Sequence, residues 1–380
     1  MLFENDYLYA LALCKIDGIG NINAKRLIDY FGSAEKVFAV SDSQRLKVEN
    51  IGEVTTKNIR QYATQALKAA EQELKKLSEI PQSYIWYYRD SHYPKRLREI
   101  PDCPILFFSQ GKVDWEKKAI AIVGTRSATE YGKQLTERLI QDLKPYNPLI
   151  ISGLAYGIDI TAHKICLKYE ISTIGVMATG LNKIYPQIHK KTALQIVEQG
   201  GALITENYLD TPPDAMRFPA RNRIIAGLAD AVVVVEARST GGALITAEIA
   251  NSYNREVLAF PGNVGSKASE GCNNLIKQHK AHLITHAQDL IEFLSWDLEK
   301  IPKKQEKKNL LNEATLETLT STERRIIALL QDYHSQNKDL SVDEISIHLE
   351  LSHSSLNAAL LNLEILGIVK ALPGRYFRLV

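Results

Sequence analysis

From Lys118 to Phe260 the chain alternates short apolar runs with longer stretches of mixed polarity. The runs are Ala119 to Val123, Leu149 to Ile151, Thr173 to Met177, Ala202 to Ile204, Val232 to Val235 and Val257 to Phe260. Short, β-branched runs of this kind suit strands buried on both faces of a sheet. Their alternation with helical spacing predicts a parallel, doubly wound α/β sheet. Most of the runs end in glycine-bearing turns: Gly124-Thr125-Arg126-Ser127, Ser152-Gly153, Thr179-Gly180, Ser239-Thr240-Gly241-Gly242 and Pro261-Gly262. Ligands of such sheets gather beyond the carboxyl ends of the strands. The turns are therefore expected to converge on one surface.

The flanks follow other patterns. Residues 1–80 place Leu8, Leu11 and Ala12, then Ala24, Leu27 and Ile28, at helical spacing around Gly18-Ile19-Gly20. Val48 to Gly52 is a weaker echo of that hairpin. A Gly-Ile-Gly hairpin between helices resembles the helix-hairpin-helix motif, whose loop amides face phosphate. A small helical bundle with glycine C-caps accounts for it equally, and Asp17 beside the loop opposes phosphate. Residues 83–113 carry two aromatic-rich runs, Tyr84 to Tyr88 and Ile105 to Phe108, which predict two strands that extend the sheet by packing. Residues 298–317 include the charged stretch Lys300 to Lys308, a linker composition. Residues 318–380 predict three helices and a two-stranded wing turned at Pro373-Gly374, a winged-helix pattern. Its third helix, from Ser352 to Leu363, has no arginine or lysine, which favours a protein contact or weak DNA contact over duplex reading. The domains expected are thus 1–80, 81–297 and 318–380, with a tether at 298–317.

Composition narrows the class. At 380 residues and 45% hydrophobic, the chain can bury a sizeable core. A net charge of +2 means that any affinity for nucleic acid must come from local patches. The four cysteines, Cys14, Cys103, Cys166 and Cys272, lack CxxC spacing, which predicts reduced thiols in a cytoplasmic protein. The amino-terminal residues lack a signal-peptide core, and no apolar stretch is long enough to predict a membrane span.

Candidate chemistry centres on Phe218 to Glu248. Pro219 suits the first turn of a helix, with Ile224, Ile225 and Leu228 facing inward. Arg217, Arg221 and Arg223 are expected at its exposed start, with no acid between them. Beyond Val235, Gly241 and Gly242 open a further helix with bare amides, a setting that attracts phosphate. With the ring of Phe218 beside it, this stretch is expected to form an anion site with an aromatic wall. Neither GxGxxG nor GxxxxGK[ST] nor GxSxG occurs, so no dinucleotide cofactor, P-loop or hydrolase elbow is expected. His279, His282 and His286 are expected to be scattered by a short strand, so no metal site is expected.

The order of these blocks resembles one family. Val123-Gly124-Thr125-Arg126-Ser127 and Tyr131-Gly132 come first. Ser152-Gly153-Leu154-Ala155, Gly157-Ile158-Asp159, Ala162-His163, Gly180-Leu181 and Tyr185-Pro186 follow. Phe218-Pro219, Arg221-Asn222-Arg223-Ile224-Ile225-Ala226-Gly227 and Pro261-Gly262 complete the series, which is similar to the DNA processing protein A family, also called DprA or Smf. The resemblance covers roughly residues 80 to 290 and implies an extended Rossmann core between a helical, SAM-like domain and a winged helix. It also implies a non-enzymatic homodimer, joined through the core, that binds single-stranded DNA and loads RecA recombinase during natural transformation. By the same resemblance the DNA-binding residues are Arg126, Ser127, Gly153, Lys190, Lys191, Arg217, Phe218, Arg221, Asn222, Arg223, Gly241 and Gly242. His189 and Tyr156 depart from the family's usual residues. Asp159 and His163, one helical turn apart, are expected to orient the Ser152-Gly153 turn. Thr240-Gly241-Gly242-Ala243 with Thr246 and Glu248 also resembles the turn of nucleoside-monophosphate phosphoribohydrolases, so a nucleotide-processing enzyme is the alternative.

Overall fold

In the computed structural model the apolar runs become strands. They are β1 (Ser83–Tyr87), β2 (Leu106–Gln110), β3 (Ala119–Val123), β4 (Leu149–Ser152), β5 (Thr173–Val176), β6 (Ala202–Thr205), β7 (Ala231–Val234), β8 (Glu256–Ala259) and β9 (His282–Leu283). One sheet holds them in the order β1-β2-β6-β5-β4-β3-β7-β8-β9. From β6 to β9 neighbouring strands are parallel; β1 and β2 add an antiparallel extension. The chain starts the parallel part at β3, builds outward through β6, then returns to the other side of β3 with β7. The strand order therefore reverses at β3, the place where doubly wound sheets bind ligands.

Residues alternate between two buried layers, as the pleat requires. Ala119, Ala121 and Val123 join one hydrophobic cluster, while Ile120 and Ile122 join the other. Val232 and Val234 likewise face opposite to Ala231, Val233 and Val235. Helices cover both faces, which is why these strands are apolar throughout.

The structure describes residues 5–296, 319–334, 339–366, 368–372 and 376–379. The charged stretch Lys300 to Lys308 and the Pro373-Gly374 turn lie outside them. Two compact units emerge, residues 1–298 and 299–380. In the first, helices from Asn5 to Ser78 share a buried cluster with β1 and β2 through Leu11, Leu27, Leu74 and Phe107. Polar ties reinforce that packing. Tyr87 donates its hydroxyl to Asp6 at 2.9 Å, Tyr88 donates to Asp29 at 2.6 Å, and Glu73 accepts from Lys15 and the Leu209 amide. Asn21, just past the Gly18–Gly20 hairpin, accepts from the Ile105 amide and donates to Glu206. Trp86 stacks on Phe107 at 5.9 Å inside this region, so the aromatic runs pack the sheet extension.

The second unit has helices Ser321–His334, Val342–Leu349 and His353–Ile365, with β10 (Leu340–Ser341), β11 (Val369–Leu372) and β12 (Tyr376–Leu379) in the order β10-β12-β11. Ile326, Ile345, Leu356, Leu363 and Val369 close its core. Among the described residues no helix is long and apolar enough to cross a membrane, and no three His, Cys, Asp or Glu gather as a metal set.

Candidate functional site

A cavity of about 740 Å³ opens where β3, β4 and β7 end. Its walls are the turns after those strands together with one face of the Arg217–Leu228 helix. That face is Phe218, Arg221, Asn222 and Ile225, which share one side because the helix repeats every 3.6 residues. Arg126 and Ser127 enter from the β3 turn, and Arg238, Thr240, Gly241 and Gly242 from the β7 turn. Of the expected glycine turns, those after β3, β4 and β7 meet here, whereas Thr179 lines a neighbouring cavity and Pro261-Gly262 lines neither.

Charge in the cavity has two kinds. Arg221 is buried, at 5% exposure. It donates to the Gly153 carbonyl at 2.6 Å, to the Val176 carbonyl and to Asn222 Oδ1. Burial draws its pKa down to about 10, against the pull of nearby Asp159 and with the positive Arg126 assisting. Burial likewise pushes the Asp159 carboxyl up, opposed by Arg221 and by bonds from the Gly153 turn. These two groups brace the floor. Arg126 and Arg238 are exposed, and neither has an ion-pair partner among the described residues. Arg126 lies 5.6 Å over the Phe218 ring, whose other neighbour is Tyr185 at 5.6 Å. The helix from Gly242 to Ser252 starts with no side-chain cap at Gly241, and Asn222 Nδ2 holds the Gly242 carbonyl at 3.2 Å.

The expected site residues divide accordingly. Arg126, Ser127, Phe218, Arg221, Asn222, Gly241 and Gly242 line the cavity. Gly153 lies beneath it: its amide donates to Asp159 at 3.1 Å and its carbonyl accepts from Arg221. Lys190 lines a neighbouring cavity of about 330 Å³ that shares Tyr185, while Lys191 is exposed beside it. Both lysines occupy the uncompensated first turn of the Lys190–Glu198 helix, where cations are disfavoured by the helix dipole.

Corrections concern the arginines and a histidine. Arg217 stands partly exposed at the helix start, but Arg221 and Arg223 do not crowd there with it. Arg217 sits outside the cavity, with Nη1 donating to the Pro212 carbonyl at 3.0 Å. Arg223 points to the far side of the helix, where it donates to the Asp102 carbonyl at 2.8 Å and pairs with Glu206. Two residues along a helix are about 200° apart, so Arg221 and Arg223 cannot share a wall. Asp159 holds the Gly153 turn as expected, but His163 does not; its Nδ1 meets Thr173 at 2.8 Å. The Leu154 carbonyl is held instead by His189, at 2.7 Å. Sequence reasoning missed Arg238, whose signal was a cation between a buried strand and a glycine-opened helix. Glu248 pairs with Lys280, and Thr246 returns its hydroxyl to the Gly242 carbonyl.

Such a cavity suits a phosphate joined to a planar ring: unpaired guanidinium groups, bare amides and an accessible aromatic face lie together. The architecture defines a Rossmann-type α/β protein with an arginine-lined cavity at its switch point and an appended winged helix. Residues 84–295 match the family model of DNA recombination-mediator protein A, and residues 312–375 match that of the DprA winged helix domain. The chain is 31% identical to Protein Smf of Synechocystis over 99% of both chains. It is 35% identical to Protein Smf of Escherichia coli over 79% of this chain and 81% of that one. Among solved structures, DNA processing protein A from Streptococcus pneumoniae superposes with a TM-score of 0.64 at 32% identity, covering 75% of this chain and 97% of that one. DNA processing protein A from Helicobacter pylori, described for its unique single-stranded DNA binding mode, gives 0.51 at 29% identity over 57% and 97%. The chain belongs to the DNA recombination-mediator protein A family, whose members carry the names DprA and Smf.

Proposed function

We propose that this chain binds single-stranded DNA in the cavity at the β3 switch point. One observation carries the proposal: Arg126, without an ion pair among the described residues, lies over the partly exposed ring of Phe218 beside the uncapped Gly241-Gly242 helix start. A base can stack on Phe218 only when it is free of a duplex stack, while its phosphate meets Arg126 and Arg238. Recognition of this kind favours a single strand and contributes about 1–3 kcal/mol per stacked base. Lys190 and Lys191 extend the cationic path past Tyr185.

Family membership supports a finer reading, which we propose for this chain. The chain protects single-stranded DNA in the cytoplasm and loads RecA recombinase onto it during natural transformation, as a homodimer joined through the Rossmann core. The open edge of β9, with Leu283 and Phe293 exposed, supports a pairing surface late in the core. Sedimentation equilibrium tests the dimer, and RecA filament nucleation on strand coated with competing binding protein tests the loading.

The DNA reading is tested by fluorescence anisotropy with single-stranded and duplex oligonucleotides across a salt series. Wild type prefers the single strand. Arg126→Ala with Arg238→Ala weakens binding and lowers the salt slope by about 1.4, at about 0.7 per single-strand phosphate. Equal affinity for duplex, or an unchanged slope in the double variant, defeats the assignment. A parallel assay for base release from nucleoside monophosphates tests the enzymatic alternative.

A further inference from the structure

Glu236 is a buried carboxylate, 2% exposed, two residues before Arg238. It has no ion-pair partner among the described residues. Its backbone carbonyl accepts from the Thr125 amide at 2.7 Å. Its carboxylate accepts from the Thr129 amide at 2.9 Å and from the Thr129 hydroxyl at 2.5 Å. The turn that carries Arg126 and Ser127 is therefore fastened at both ends to a single residue of the opposite wall. Neighbouring glycines make room for this arrangement. A Cβ on Gly132 would lie 2.1 Å from Glu236 Oε2, and one on Gly157 would lie 2.1 Å from the Thr125 carbonyl oxygen.

We infer that Glu236 is a positioning residue for DNA binding: acting through Thr129, it holds Arg126 over Phe218 while its own chain segment presents Arg238. The inference rests on the single-strand reading above. Arg126 has no ion pair among the described residues to set its place, so the fixed turn and the Phe218 ring hold it there. A buried negative charge beside an anion site also has an opposite effect, since by itself it repels phosphate. The two effects have opposite signs and can be separated. Thr129→Val removes the hydroxyl that reaches the carboxylate without changing any charge. Glu236→Gln removes the charge and keeps one acceptor for the two Thr129 donors.

Anisotropy with a labelled single-stranded oligonucleotide over a salt series decides between them. Positioning predicts that Thr129→Val weakens binding roughly tenfold, the scale of one lost charged contact, and lowers the salt slope by about 0.7. Thr129→Ser, which keeps the hydroxyl, restores both. In an Arg126→Ala background Thr129→Val has no further effect, and Glu236→Gln alone weakens binding. The inference is overturned if Thr129→Val binds like wild type, or if its effect persists undiminished in the Arg126→Ala background. A tighter Glu236→Gln also overturns it, because the charge would then outweigh the positioning. Should Thr129→Val not fold, Glu236→Gln against Arg126→Ala gives the same cycle. A wild type that does not bind, or an Arg126→Ala that binds normally, removes the site reading and this inference with it.

Discussion

Adding one methyl group to Gly153 tests the floor of the cavity. A Cβ there would lie 2.6–2.7 Å from Nη1, Cζ and Nη2 of Arg221, where ordinary contact begins at 3.4 Å. The guanidinium would have to withdraw by roughly 0.8 Å, the difference between those distances. That displacement stretches its 2.6 Å bond to the Gly153 carbonyl past the useful range and disturbs the bond to Val176. A flexible side-chain tip in open solvent would simply move aside, but Arg221 is only 5% exposed and bonded on three sides. Hydrogen bonds of charged groups contribute about 1.5–3 kcal/mol each. Partial loss of two predicts that Gly153→Ala destabilises the first unit by about 2–4 kcal/mol. Urea unfolding followed by tryptophan fluorescence is the assay, because Trp86, Trp115 and Trp296 all lie in that unit. In an Arg221→Met background the same methyl group should cost less than about 1 kcal/mol. A loss below about 1 kcal/mol in the wild-type background, or an equal loss in both backgrounds, refutes the reasoning.

Two further outcomes are expected. Arg223→Gln leaves Glu206 without its cation, so stability falls by about 1–3 kcal/mol, discounted for partial exposure, while single-strand affinity stays within about twofold. The reverse pattern, lost affinity with unchanged stability, would show that DNA reaches the far face of the helix. His163 supplies the pH dependence. Burial, with His189 and Arg221 adding to it, lowers its pKa to about 3, so it is neutral in the folded protein. Below about pH 6.5 the unfolded chain takes up a proton that the folded chain refuses, down to about pH 3. Stability therefore falls with decreasing pH, at a slope that approaches about 1.4 kcal/mol per unit from this group, or about 1.6 kcal/mol between pH 6.5 and 5. Urea unfolding of wild type and His163→Gln at those two pH values checks this, and parallel losses in both would exclude His163 as the cause.

What lay in the sequence was whatever depends on neighbours along the chain. The all-apolar run Ala119–Val123 announced a strand buried on both faces because strand periodicity is local. Gly241-Gly242 announced a helix start, and the ordered blocks from Gly124 to Gly262 announced the family. His282-Leu283 was legible as a strand for the same reason. Tertiary structure decided what each polar group faces. Arg221 and Arg223 are equivalent as letters, yet one meets Gly153 and Val176 while the other meets Glu206 and Asp102. Helical phase alone separates them; their partners come from turns brought together only when the sheet closes. Glu236 gave no local sign of its reach to Thr129, 107 residues away. A buried polar group bonds to whatever the fold leaves beside it, and that is settled by packing rather than by adjacent residues.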